Sequence, residues 1–352
     1  MESEIFVNQL ISWYRHQKRD LPWRHSKDPY KIWLSEIILQ QTRVNQGMPY
    51  YLRFVEQYPT VDDLAEASEA EVLRLWQGLG YYSRARNLHA CAKTVSTVYD
   101  GKFPDTFEEL LKLKGIGRYT AAAIASIAFD RSNAVVDGNV YRVLSRIFGI
   151  SDDISDSKTL KIFEKKANVL IVDQSPGEFN QAIMDFGAIQ CTPKSPSCAI
   201  CPMSSFCFAF NQGKQDTLPV KTKKVKVRNR YFYYYIYEYG EQILMKERGP
   251  KDIWQGLYDF HLEESPVSKD DEAVLLPAAD KAIFSLQDFS EEVKHILTHQ
   301  RIFTKFIRLQ VNDLGKFESL AADKNLTPYR MEEVQELPKP ILIQNYLKQA
   351  FF

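Results

Sequence analysis

Leu113–Lys114–Gly115–Ile116–Gly117–Arg118–Tyr119–Thr120 lies between two runs of apolar residues at helical spacing. Two glycines around one apolar residue let the backbone turn sharply. They also leave successive N–H groups exposed at the start of the second helix, where a phosphate is stabilised. The expected reading is a helix–hairpin–helix signature, in which Gly115 and Gly117 would present the turn to a DNA backbone; a simple helix–helix turn is the plain structural alternative. Such a contact positions a duplex without reading its sequence.

Outward from the hairpin, residues 1–190 read as helix after helix, beginning with the stripe Ile5, Phe6, Gln9, Leu10 and Trp13. Pro49 and Pro176 are expected in the first turns of two later helices. The character changes at Tyr231–Phe232–Tyr233–Tyr234–Tyr235–Ile236–Tyr237, whose aromatic content favours a strand. Further strands are expected at Gln242–Met245, Leu257–Leu262 and Ile302–Val311, with a last helix at Pro340–Ala350. With 352 residues, the chain exceeds the roughly 100–200 of one domain. The expected organisation is multidomain: an all-α core over 1–208, a basic linker over 209–226 and an α+β domain over 227–352.

Cys191, Cys198, Cys201 and Cys207 have the spacing C-x6-C-x2-C-x5-C. Four thiolates from one short loop can hold zinc or a [4Fe–4S] cluster, and spacing alone leaves both open. Zinc sites more often bring two tight pairs; here only Cys198 and Cys201 form one, which favours iron–sulfur. Cys91 stands alone and reads as buried packing. Formal charge is zero, yet Lys214–Arg230 carries seven basic side chains against the single acid Asp216, a segment to which a polyanion could be steered. No apolar run approaches the roughly 20 residues of a membrane helix, and the N-terminus has no basic-then-apolar leader pattern. A cytoplasmic protein, associated with the bacterial nucleoid through DNA, is expected.

Glu36 sits in Ile32–Trp33–Leu34–Ser35–Glu36–Ile37–Ile38–Leu39, apolar company that raises a carboxyl's pKa. Asp137 immediately precedes a helical pattern, where the cap position and helix dipole favour the ionised form. A protonated acid and an anion kept apart in pKa suit the cleavage of a glycosidic bond through an oxocarbenium-like state. Taken singly, the two have plain structural explanations, as a partnered core acid and an N-cap.

The hairpin, the Val136–Asp137–Gly138–Asn139–Val140 block and the four-cysteine loop resemble the endonuclease III superfamily of base-excision glycosylases. Trp33–Val44 and Gly78–Leu88 look like motifs of its MutY-type adenine glycosylases, a resemblance that is strong to residue 207 and weaker beyond. It implies a helix–hairpin–helix core with a [4Fe–4S] loop on the four cysteines, followed by a Nudix-like domain. The implied activity is hydrolysis of the N-glycosidic bond of adenine mispaired with 8-oxoguanine or guanine in duplex DNA, by a monomer. Glu36 would protonate adenine at N7, with Arg24, Leu39 and Tyr119 lining the pocket; Asp137 would stabilise the sugar cation and Asn139 position the water. Gln41 and Tyr81 match positions that wedge into the vacated stack, and Thr298–His299 match the loop that reads the opposite base. That loop usually runs Phe-Ser-His and is Leu297–Thr298–His299 here, while Gln181 stands where several relatives carry an acid. There is no acidic Nudix box.

Tyr119 occupies the place where bifunctional relatives carry a lysine, and a phenol cannot form the Schiff base that leads to strand cleavage. A bifunctional glycosylase for oxidised pyrimidines would share the core but not Glu36. A non-catalytic iron–sulfur DNA-binding protein would leave Glu36 and Asp137 as coincidence.

Overall fold

The computed structural model describes residues 2–171, 175–223, 226–278, 280 and 282–351. Contacts divide the chain into two compact units, Met1–Glu66 with Asn87–Lys223, and Ala67–Arg86 with Lys224–Phe352. The units follow contact rather than chain order: the helix Glu69–Leu75 and the Gly78–Tyr82 turn belong with the C-terminal residues.

The first unit is all-helical among its described residues. Its helices start where the sequence supplies caps: Asp28 accepts from Tyr30 N with Pro29 in the first turn, and Asp137 accepts from Val140 N. They stop at left-handed residues such as Gly149, at φ +71°. Phe6, Leu10, Val143, Leu144, Phe179 and Ile183 form one buried cluster joining Glu2–Gln17, Gly138–Phe148 and Pro176–Asp185.

Pro176 is at the first helical position as expected, but Pro49 lies inside the helix Val44–Gln57. The helix begins farther upstream because Arg43, extended at ψ 148°, serves as its N-cap. The basic segment is anchored at its start: Thr222 N and Oγ1 donate to Asp153, and Ile154 N donates to Val220 O.

In the second unit, β1 (Arg228–Tyr239) is the centre of a mixed sheet with β2 (Gln242–Glu247), β3 (Tyr258–Asp259), β4 (His261–Ser265), β5 (Phe284–Phe289), β6 (Val293–Ile296), β7 (Gln300–Val311) and β8 (Thr327–Arg330). β1 runs parallel to β7, pairing Tyr235 with Ile307, and antiparallel to β2 and β4. Tyr233, Tyr235 and Tyr237 pack on Ile307, Leu309 and Phe317. On the other face Tyr234 stacks on Phe306, 5.4 Å between centroids, and Tyr346 of the helix Ile341–Ala350 stacks on Phe306 at 4.0 Å. Burial of both faces explains the unbroken aromatic run of β1. No described helix is long and apolar enough to cross a membrane.

Candidate active site and metal centre

The hairpin joins the helix Phe107–Leu110 to Arg118–Phe129. Gly115 is left-handed at φ +81°, and a Cβ there would stand 2.8 Å from the Asn87 Cβ, so both conformation and space demand glycine. Gly117 is extended at φ −91°, and a Cβ there would meet nothing. It keeps open the approach to the amides of the following helix.

A cleft of about 1220 Å³ gathers Arg24, Glu36, Leu39, Gln41, Gly115, Gly117, Tyr119, Asp137 and Asn139. Every expected site residue of the helical unit apart from the cysteines therefore shares one cleft. Glu36 projects from Pro29–Leu39, Tyr119 from the first turn of Arg118–Phe129, and Asp137 caps Gly138–Phe148. Glu36 also borders a small recess of about 30 Å³, with Trp23, Ile32, Gln181 and Met184.

Burial pushes the Glu36 carboxyl up to about 7, with the neighbouring Asp137 charge adding to the rise; Tyr119 and Arg24 oppose it. Tyr119 hydrogen-bonds Glu36 and also lies 3.1 Å from Met184 Sδ. One phenolic proton cannot serve both, and a carboxylate is a far better acceptor than a thioether, so ionised Glu36 takes it. Asp137 differs from expectation. It does cap its helix, accepting from Val140 N at 2.8 Å and from Asn139 Nδ2 at 2.8 Å, but burial outweighs these bonds and its pKa is raised. A cap at the protein surface stays anionic through solvation as well as hydrogen bonds, and Asp137, half-buried in the cleft, has lost part of the first. The two carboxyls are thus both shifted upward.

The cleft also depends on residues that patterning missed. Asp185, fully buried, receives Arg24 Nη1 at 2.6 Å and Nη2 at 2.8 Å, and Arg19 Nε at 2.9 Å. These two guanidinium groups hold its pKa down against burial. Arg142 donates to Cys191 O at 2.7 Å, Gly187 O at 2.7 Å and Asn139 Oδ1 at 2.8 Å, linking the cysteine loop to the partner of Asp137. Gly187 lies in a π-helical turn, Phe186–Gln190, and a Cβ on it would come 2.6 Å from the Asn139 Cβ. An acid set in the apolar stretch Ala182–Phe186 was the sequence signal for Asp185, and none marked the π turn.

Cys191, Cys198, Cys201 and Cys207 line one cavity together with Arg146. The Arg146 guanidinium lies 3.4 Å from Cys191 Sγ and holds the loop through Thr192 O at 2.7 Å and Pro193 O at 3.2 Å. That arrangement fits a cluster of several atoms, with a cation beside it to offset its negative charge. Cys91 is buried elsewhere, its thiol pushed up to about 12.

In the second unit, Thr298 and His299 are exposed at the turn between β6 and β7, closed by Leu297 N donating to Gln300 O at 2.8 Å. The Tyr81 hydroxyl is hydrogen-bonded to Thr298 Oγ1. Tyr81 and, in the other unit, Gln41 share a rare feature: both are left-handed non-glycine residues, at φ +49° and +54°.

Residues 34–168 match the HhH-GPD superfamily of base excision DNA repair proteins, 191–207 the iron–sulfur binding domain of endonuclease III, and 232–349 the NUDIX domain. The chain is 33% identical to an adenine DNA glycosylase of Buchnera aphidicola subsp. Acyrthosiphon pisum, across 100% of both chains. It is 45% identical to the adenine DNA glycosylase of Homo sapiens over 226 residues, which are 62% of this chain and 41% of that one. A thermostable thymine-DNA glycosylase of known structure superposes with a TM-score of 0.56 at 32% identity, over 60% of this chain and 97% of that one.

Proposed function

The chain belongs to the adenine DNA glycosylases, and from that premise we propose that its substrate is adenine opposite 8-oxoguanine or guanine in duplex DNA, and that the strand is left uncut. It is a DNA-binding base-excision glycosylase that hydrolyses the N-glycosidic bond of adenine and carries a [4Fe–4S] cluster. The four cysteines would hold that cluster, whose iron–thiolate bonds would tie the loop 191–207 together.

The observation that carries the reading is Glu36, with a pKa of about 7, in one cleft with Asp137. Near neutral pH Glu36 is protonated often enough to act as an acid. It gives its proton to adenine N7 as the bond from C1′ to N9 breaks and the electron pair leaves with the base. Asp137, held by Val140 N and Asn139, faces the sugar cation as an anion. Water then adds its oxygen to C1′, oriented by Asn139, and its proton returns to Glu36. Arg24, fixed by Asp185, and Leu39 line the base pocket. Gln41 and Tyr81 fill the stack that the extruded base leaves, and Thr298 with His299 reads the opposite base; the protein acts as a monomer.

No lysine is among the described residues lining the cleft, so it offers no amine for an imine, and Tyr119 cannot supply one. The test is incubation with a duplex carrying adenine opposite 8-oxoguanine, with and without borohydride. The expected product is an intact abasic strand that breaks only on adding alkali. Alkali-independent cleavage with a borohydride-trapped adduct would overturn the monofunctional assignment.

A further inference from the structure

The turn Gly78–Leu79–Gly80–Tyr81 carries three left-handed residues, Gly78 at φ +100°, Gly80 at +72° and Tyr81 at +49°. Glycine adopts that region freely, whereas a tyrosine there is strained and persists only when its neighbours over-determine it. Trp76 and Arg84 are among those neighbours. Trp76 Nε1 donates to Gly80 O at 3.0 Å, Arg84 Nη2 donates to the same oxygen at 3.3 Å, and Arg84 N donates to Tyr81 O at 2.8 Å. The Arg84 guanidinium lies 5.1 Å from the centroid of the Trp76 ring and 5.5 Å from that of Tyr81. Trp76 is fully buried and Arg84 nearly so, while Tyr81 remains 41% exposed. A planar cation thus rests against a fixed ring, an exposed ring and the carbonyl between them.

We propose that Arg84 is the positioning residue of the DNA wedge: it holds the Gly80–Tyr81 turn left-handed so that the Tyr81 ring stands ready to enter the base stack. The proposal rests on the reading of Tyr81 as a wedge and adds to it the residue that sets its pose. Arg84 is remote from the chemistry in role: its loss slows extrusion of adenine and leaves proton transfer from Glu36 untouched. Lysine at this place keeps the charge but loses the plane that lies against two rings and reaches the carbonyl, so it replaces arginine only in part.

The experiment uses the full-length protein with its cluster and three variants, Arg84→Met, Arg84→Lys and Tyr81→Ala. Extrusion is followed by stopped-flow fluorescence of 2-aminopurine, and excision by single-turnover rates on two substrates. In one, adenine is paired with 8-oxoguanine in a duplex; in the other it is bulged and already unstacked. Arg84→Met should slow extrusion and duplex excision about tenfold, the loss of a partly desolvated cation from two rings and of one hydrogen bond, with bulged adenine excised at the wild-type rate. Arg84→Lys should fall between, and it carries the test if Arg84→Met does not melt as a folded protein. Equal slowing on both substrates would overturn the proposal, because Arg84 would then support the fold or the chemistry at large. Normal extrusion in both Arg84 variants beside slow extrusion in Tyr81→Ala would overturn it while leaving the wedge in place. Normal extrusion in all three would remove the wedge reading as well.

Discussion

Glu36 and Thr298 occupy opposite kinds of surroundings. Glu36 has Asp137, Tyr119 and Arg24 around it inside a helical cleft, and each of them moves its proton affinity. Thr298 is exposed on a turn between two strands, with the Tyr81 hydroxyl as its named partner. The difference suits the roles proposed for them. A proton donor has to be kept out of water so that its pKa approaches the working pH. A hydroxyl that reads a base edge has only to reach it, and the contact forms when DNA arrives. In the proposed mechanism catalysis is carried by the buried network around Glu36, and discrimination by the exposed turn that holds Thr298.

Asp137→Asn attacks the buried side of this comparison and should have the largest effect. Asparagine can still accept from Val140 N, so the helix keeps its cap, but the anion facing the sugar is gone. Single-turnover excision should fall about a thousandfold, with DNA affinity in a gel-shift titration unchanged. A variant near wild-type rate would remove Asp137 from the chemistry. On the exposed side, Thr298→Ala combined with His299→Ala should leave excision opposite 8-oxoguanine active while narrowing its preference over plain guanine about tenfold. An unchanged ratio of the two rates would place recognition elsewhere.

Stability should show the smallest response, and in the opposite direction to activity. Glu36 has a folded pKa of about 7 against an ordinary 4.5, so the folded chain keeps a proton that the unfolded chain has lost between those values. Its contribution is full below pH 4.5 and is lost as pH rises through 7. Above that, the native cleft holds an extra anion beside Asp137. Glu36→Gln carries none and should be more stable than wild type at pH 8 by on the order of 1 kcal/mol, a few degrees in Tm. The gain should vanish at pH 4. A less stable variant at pH 8 would mean that Glu36 is not strained in the native cleft.

The buried network was legible in part, because its members sit in strong local patterns. Gly115 and Gly117 announce the hairpin, four cysteines in one loop announce a metal centre, and Glu36 interrupts an apolar run. Asp137 was legible as a cap, but its burial was not, since burial comes from helices distant in sequence. Asp185 and Arg142 act through partners up to 166 residues away, at Arg19, and through backbone carbonyls that carry no sequence signature. In the second unit the long, doubly buried β1 and β7 could be read. β5, β6 and β8 could not, because they are short and mostly exposed and show no alternation. The grouping of 67–86 with the C-terminal residues is a matter of tertiary contact alone.

In the proposed mechanism Glu36, made a near-neutral acid by burial, delivers the proton that releases adenine. Its most direct test is the single-turnover excision rate from pH 5 to 9, for wild type and Glu36→Gln, on a duplex with adenine opposite 8-oxoguanine. Wild type should lose rate on the alkaline side with an apparent pKa of about 7, as the donor ionises. Glu36→Gln should be slower by about a thousandfold and should lack that alkaline limb. A Glu36→Gln protein that excised adenine near the wild-type rate, or kept the same alkaline limb, would contradict the claim.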